Sequence, residues 1–382
     1  MATRTLIATL PPMVAGGVST KARLLAGALA RAGHEVTLAY YDPTGGKAAD
    51  LTVFEPHRQV AVRVRRTIFE QNYTRLSDDW LRLIADNDRH VAVGGTVLIA
   101  HPMASAGIRH MIWCASDLEG DRASRQQAMP WFRRWPDRWW VAGALERQQA
   151  GVLAADNRVF GVSGDAVARL VRVAPRRRSE IGRLPIPVDT DFFVPAKTVN
   201  DRFRIGFAGR LDDPRKNAGL LFAALAEARR RGVDAVLDVT GGASPALVAS
   251  IANHGLSDAV TFAGTLDRDG LRRFYQSLDL FVLSSWQEGL AIAALEAMAC
   301  AIPVVSTDCG GPSDYVVSGE NGFLTGFEPG DIADAIERTA ADASDRADMA
   351  EAARATATAH YSMPAFAENL GSAWQETWGA AL

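Results

Sequence analysis

Short apolar runs alternate along the chain with segments whose apolar residues recur at helical spacing, the pattern of successive βα units that build parallel sheets. The run TRTLIATL (3–10) predicts a first strand, and GGVSTKARLLAGALARAG (16–33) predicts a glycine turn and then a helix. Ser19 or Thr20 is placed to cap that helix and Gly33 to end it. HEVTLAY (34–40), GTVLIAH (95–101), HMIWCAS (110–116) and NRVFGVS (157–163) predict further strands, with a helix from about Val141 to Leu153.

The pattern restarts after IPVDTDFFVPAKTVND (186–201), a proline-containing stretch without periodicity. FRIGFAGRL (203–211), DAVLDVTGG (234–242), AVTFAGT (259–265), LDLFVLSS (278–285) and IPVVST (302–307) read as strands, with helices between them, the first from Asn217 to Arg231. A chain of 382 residues is long enough for two cores. The expected architecture is therefore α/β, with doubly wound Rossmann-like domains at 1–190 and 191–360. A terminal segment, 361–382, holds an amphipathic helix at about 363–378. Ligands are expected at the carboxyl ends of the strands, in a central cleft between the domains.

Composition narrows the class. Hydrophobic content of 48% and charged content of 22% are those of a globular protein. No apolar run reaches the roughly 18 residues of a membrane span. The opening MATRTLIATLPPMV has prolines inside its apolar region and reads as a strand, not a secretory signal. Cys114, Cys300 and Cys309 have no CxxC spacing and read as core thiols of a cytoplasmic protein. Charge is uneven: residues 1–190 hold 26 Lys and Arg against 18 Asp and Glu, and the remainder holds 15 against 26. The basic half suits a phosphorylated partner or peripheral contact with an acidic membrane surface, or is an arginine-rich solvated face. No nucleic-acid motif accompanies it.

Chemistry concentrates in the second half. In FAGRLDDPRKN (207–217) a strand runs into a glycine turn flanked by Arg210 and Lys216, with Asn217 placed to cap the next helix. A guanidinium fork and an ammonium beside a helix N-terminus suit a diphosphate. The alternative is a surface loop in which Arg210 pairs with Asp212 or Asp213. In SSWQEGLAIAALEAMA (284–299), Glu296 falls in an apolar helical run, where a carboxylate is costly unless something binds it. With a helix starting near Leu290, Glu288 and Glu296 lie about 12 Å apart along the axis and about 80° apart around it. Both can then line one crevice, one at a ribose and the other at a sugar. The alternative is a salt-bridged Glu296 and a solvated Glu288.

Two D-x-D strings, 189–191 and 267–269, raise metal binding, although three-residue motifs recur by chance. WFRRWPDRWW (131–140), preceded by Arg122 and Arg125, is either an interfacial or acceptor-gripping segment or part of the first core.

Together these residues resemble glycosyltransferase family 4, whose retaining members carry an E-x7-E motif. EGLAIAALE supplies that motif, and residues 262–324 resemble the family's donor-binding half. The GG turn with GHEVTL, AADNRVFGVSGDAVARL (154–170), IPVDTDFF and GFAGRLDDPRKN extend the resemblance over nearly the whole chain. It implies a GT-B fold and metal-independent transfer from a nucleoside-diphosphate sugar, with no cofactor. Arg210 and Lys216 would bind the diphosphate, Glu296 the ribose, and Glu288 would face the transferred sugar. Backbone amides of Gly289, Leu290 and Ala291 would touch the sugar, Gly16 and Gly17 would let the first domain approach the phosphates, and Thr265 would join the donor site. The terminal helix would cross back to the first domain.

Three departures stand out. The family's E-G-F-G reads Glu288-Gly289-Leu290-Ala291, its glycine before I-P-V-V is Ala301, and its histidine-aspartate pair reads Ser116-Asp117. Ser116, Asp117 and His101 are the acceptor-side candidates, and His110 lies nearby. A GT-B-like binding protein without turnover stays open because Ser116 replaces the histidine. A dinucleotide-dependent oxidoreductase is disfavoured because no G-x-G-x-x-G follows the first strand.

Overall fold

The computed structural model describes residues 2–11, 17–42, 51–64, 72–116, 118, 141–196 and 199–382. It divides into unit 1, Met1–Leu184 with Ala367–Leu382, and unit 2, Pro185–Phe366. Gly16, Asp117 and the aromatic stretch 131–140 with Arg122 and Arg125 lie outside the described residues.

Unit 1 holds seven parallel strands among the described residues, in the order β3-β2-β1-β4-β5-β6-β7. They are β1 (Arg4–Thr9), β2 (Glu35–Asp42), β3 (Arg58–Arg63), β4 (Arg89–Gly94), β5 (His110–Cys114), β6 (Asn157–Gly161) and β7 (Ile181–Arg183). Helices α1 (Gly17–Arg31), α2 (Asp78–Ala85), α3 (His101–Ser105), α4 (Ala142–Ala154) and α5 (Gly164–Val173) accompany them. Leu6, Ile7 and Ala8 of β1 are all fully buried, as expected of a central strand covered on both faces.

Unit 2 repeats the plan with β8 (Phe203–Phe207), β9 (Ala235–Val239), β10 (Val260–Phe262), β11 (Leu280–Leu283), β12 (Val304–Thr307) and β13 (Gly322–Thr325). Their order is β10-β9-β8-β11-β12-β13, again parallel. Its helices are α6 (Ala218–Arg230), α7 (Pro245–Asn253), α8 (Arg268–Gln276), α9 (Ile292–Ala299), α10 (Pro329–Ala341) and α11 (Ala343–Tyr361). The last helix, α12 (Met363–Trp378), carries its later residues into unit 1. There Trp374 is buried edge-on against His34, with ring centroids 5.0 Å apart, and Arg89 lies over Trp378. In the connecting stretch, the Arg354 guanidinium donates to the carbonyls of Thr190, Phe193 and Ala299, which ties residues 190–193 to the end of α9.

Several sequence expectations need correction. GTVLIAH is not a strand but a 3-10 turn, Val97–Ala100, leading into α3; the strand is the preceding RHVAVG. Chain reversal at Gly94–Gly95 is responsible, since a Cβ on Gly94 would lie 2.7 Å from the Ile99 side chain, and the Thr96 hydroxyl accepts from Leu98 N–H to start the turn. Ser19 and Thr20 lie inside α1, not at its cap, while Gly33 does follow the helix at φ 89°. Asn217 stands at the N-cap of α6 in the left-handed conformation, and its side chain makes no cap bond.

Among the described residues no helix is long and apolar enough to cross a membrane. Cys114, Cys300 and Cys309 are buried free thiols.

Candidate active site

The loops after β8 and β11, neighbours in the sheet, build the site. After β8, Gly209 turns at φ 145° and donates its N–H to the Thr240 hydroxyl. Asp213 then caps a single 3-10 turn, Pro214–Lys216, by accepting from Arg215 N–H. This turn delivers Lys216 to the carboxyl ends of the strands. Its Nζ lies 2.5 Å from Glu288 Oε1, and Ser285 donates to the same oxygen at 2.7 Å. Two bonds to main-chain carbonyls lock the loops together: Trp286 N–H donates to the Arg215 carbonyl at 2.7 Å, and the Ser284 hydroxyl donates to that of Lys216 at 2.8 Å.

Arg210 is three-quarters exposed. Its guanidinium is 3.8 Å from Asp213, which Arg215 already holds at 2.6 Å. The hydrogen bonds and charge of Arg215, with the Lys216 charge, keep the Asp213 carboxyl below the usual carboxylate range against the raising effect of burial. The surface pair with Asp213 is thus present, loosely for Arg210 and closely for Arg215, and the Arg210 side chain stays largely exposed.

Glu288 does not belong to the helix. It forms a parallel bridge with Gly310, donating to the Cys309 carbonyl and accepting from Gly311 N–H. Gly311 must be glycine, because a Cβ there would sit 2.5 Å from Leu290 Cα. Helix α9 starts only at Ile292, after Ala291 at φ 59°, so the expected start at Leu290 and the helical relation between the two glutamates do not hold. The helix has no side-chain cap, and a buried tyrosine holds the turn that precedes it: Tyr315 OH donates to the Leu290 carbonyl at 2.9 Å, with that of Ala291 at 3.3 Å. The carbonyls of this turn are thereby fixed. The N–H groups of Gly289, Leu290 and Ala291 make no hydrogen bond among the described residues.

Glu296 is half-buried on α9, and Tyr275 OH of α8 donates to its Oε2 at 2.8 Å. Burial pushes the Glu296 carboxyl up to about 7, against the lowering effects of the Tyr275 hydrogen bond and the Arg268 charge. Among the described residues nothing salt-bridges Glu296, and only its Oε2 is hydrogen-bonded. Thr265 is exposed after β10.

The D-x-D strings are engaged in local structure. Asp189 pairs with Arg268, Asp267 caps α8 through Gly270 N–H, and Asp269 pairs with Arg272. No cluster of three or more metal-ligating side chains occurs among the described residues.

In unit 1 the candidates are less assembled. Gly17 opens α1 with open space around it, and Ser116 donates its N–H to the Gly95 carbonyl. His101 pairs with the Thr74 carbonyl and helps line a separate cavity of about 380 Å³ between α3 and α4. His110 is buried, its Nδ1 on the Ile108 carbonyl, and burial pulls its pKa to about 4. A residue that sequence reading missed is Lys21, fully buried on α1. Its Nζ donates to the carbonyls of Gly94 (2.9 Å) and Trp113 (3.4 Å), and burial lowers its pKa to about 8. The signal was a lysine on the same stripe as Ala22, Leu25 and Leu29. Tyr275 and Tyr315 left no signal, because their roles depend on contacts distant in sequence.

Residues 202–342 match the family model described as Glycosyl transferases group 1. A D-inositol 3-phosphate glycosyltransferase of Arthrobacter sp. (strain FB24) is 31% identical over 215 residues, covering 50% of this chain and 51% of that protein. The chain thus spans about half the length of this curated relative. Sucrose-phosphate synthase from Thermosynechococcus elongatus superimposes over 100% of both chains, with a TM-score of 0.76 at 19% identity. The fold is GT-B. Anabaena HepE, solved in complex with UDP, gives a TM-score of 0.77 at 17% identity over 98% of this chain and 100% of that one.

Proposed function

We propose that this protein is a retaining glycosyltransferase, moving a sugar from a nucleoside-diphosphate sugar to the hydroxyl of a glycan, a lipid-linked or a small-molecule acceptor. The observation that carries this reading is the pinning of Lys216 against Glu288 while Glu296, one helix later, keeps an unpaired carboxylate oxygen in a partly buried setting. Lys216 and the extended Arg210 meet the diphosphate, and the N–H groups of Gly289 to Ala291 meet donor oxygens. Glu296 accepts from the ribose, and Glu288 faces the sugar. UDP is the favoured nucleotide, given the likeness to HepE.

As the C1–O bond to the diphosphate breaks, negative charge builds on the leaving oxygen, and the two cations stabilise it without a metal ion. The acceptor oxygen bonds to C1 on the face the diphosphate leaves, and its proton passes to the departing phosphate oxygen. The basic first half suits an anionic acceptor or a peripheral site at the cytoplasmic membrane face.

The test is NMR of product formed from UDP-, GDP-, ADP- and dTDP-sugars in EDTA. Release of one nucleoside diphosphate, with the anomeric configuration kept, is expected. Inversion, or no release from any donor, contradicts the reading.

A further inference from the structure

The carboxyl ends of β11, β12 and β13 carry a group of side chains that the proposed donor site does not use. Trp286 stands three residues beyond β11, Asp308 one beyond β12 and Phe327 two beyond β13, and these strands are neighbours in that order. The Trp286 side chain is 55% exposed, yet it is not loose. Its ring stacks on Phe327 with centroids 5.0 Å apart and planes 18° apart, and its backbone N–H is held by the Arg215 carbonyl. With one face on Phe327, the other face is open to solvent. The remaining large exposed apolar residues among those described, such as Leu81 and Val199, are aliphatic and scattered, which is ordinary for a protein surface.

Asp308 lies at the end of β12, the strand between β11 and β13 in the sheet. Its N–H is bonded to the Thr325 carbonyl, while its exposed carboxylate makes no hydrogen bond or ion pair among the described residues. A flat apolar face with a bare carboxylate at the neighbouring strand end fits the two sides of a hexopyranose: axial C–H groups against the indole, hydroxyls donating to the carboxylate. A second protein surface fits poorly, since covering the patch would bury that charge unpaired. A nucleobase fits poorly too. Glu296 is anchored towards α8 by Tyr275 and Trp286 towards the segment after β13 by Phe327, so a nucleotide spanning Lys216 and Glu296 leads away from the indole.

We propose that Trp286, Phe327 and Asp308 form a subsite for a hexopyranose ring, and that this ring belongs to the acceptor. Its service to the acceptor rests on the glycosyl-transfer reading; its binding of a sugar ring does not.

Saturation-transfer NMR on the full chain, with millimolar methyl α-D-glucopyranoside, galactopyranoside and mannopyranoside, tests it. UDP affinity is measured in parallel by calorimetry. The expected result is ring-proton signal from at least one glycoside in the wild type, lost in Trp286→Ala, weakened in Asp308→Asn and largely kept in Trp286→Phe. UDP affinity should stay within about twofold throughout. No signal from any glycoside, or signal that persists in Trp286→Ala, overturns the subsite. Loss of UDP binding in Trp286→Ala also overturns it, by assigning the indole to the nucleotide. A wild-type dimer that Trp286→Ala abolishes gives the patch to a second copy and overturns it as well. If UDP fails to bind the wild type while a glycoside still reaches Trp286, the transfer reading falls and the ring subsite stands.

Discussion

Two lysines occupy comparable places in the two units. Lys21 lies in the crossover after β1 and Lys216 in the crossover after β8, and each reaches the carboxyl ends of neighbouring strands. Lys21 is sealed in, with main-chain carbonyls as partners and its pKa drawn down to about 8 by burial. Lys216 stays partly exposed, and its partner is a carboxylate followed by three amides, Gly289 to Ala291, that make no hydrogen bond among the described residues. The same topological place thus serves structure in one unit and is open to a ligand in the other. An ammonium held by buried carbonyls and fully sealed from solvent is out of a substrate's reach. One paired with a partly exposed carboxylate can share its protons with an incoming phosphate.

The comparison breaks first at Lys216. Lys216→Ala should lower donor turnover, read as hydrolysis of the nucleotide sugar, by about 10²- to 10³-fold, the usual loss for a charge-stabilising donor in a preorganised site. An effect below about tenfold would make the Lys216–Glu288 pair structural. Lys21→Met should act on stability instead. Losing the buried hydrogen bond to the Gly94 carbonyl costs about 1–3 kcal/mol, visible in urea unfolding at pH 7, with UDP affinity unchanged.

The sign of the pH dependence distinguishes the lysine from the glutamate. Lys21 has a lowered pKa in the fold, so the unfolded chain binds more protons between about 8 and the ordinary lysine value. Stability should therefore rise with pH across that window, and Lys21→Met should flatten the rise. Glu296 has a raised pKa, so its contribution is present below the ordinary glutamate value and is lost as pH rises through about 7. A ribose hydroxyl donates to the charged carboxylate, so UDP affinity should gain up to about tenfold per pH unit below 7 and level off above it. Titrations of Glu296→Gln at pH 6 and 8 should show little difference.

The smallest expected effects lie at two of the three departures from the family pattern. Ala291 and Ala301 sit at φ 59° and 61°, the left-handed region where glycine is unstrained. Ala301→Gly should stabilise by about 0.5–1 kcal/mol after the entropy of the unfolded chain is counted. Thermal unfolding that moves the other way would mean the turn's strain is absorbed elsewhere.

Much of this was legible in the chain. Alternating apolar and helical patterns gave the two parallel sheets, and the spacing of Glu288 and Glu296 drew attention to the loop where Lys216 meets Glu288. The short strands β3, β7 and β13 left no reading because they are brief or half-exposed, with little apolar contrast. GTVLIAH misled because an apolar run does not distinguish a strand from a tight turn that packs inward, and Thr96 and Gly94 settle the matter through contacts. The partners of Lys21, Glu296 and the Leu290 carbonyl lie 21 to 92 residues away, beyond the reach of local pattern.

The most direct test is calorimetric titration of UDP, in EDTA, into the wild type, Glu296→Ala and Lys21→Met. UDP should bind the wild type and Lys21→Met alike and Glu296→Ala at least about tenfold more weakly, the loss expected of a charged hydrogen bond. Equal binding by all three proteins, or none by the wild type to UDP, GDP, ADP or dTDP, would contradict a nucleotide site at Lys216 and Glu296.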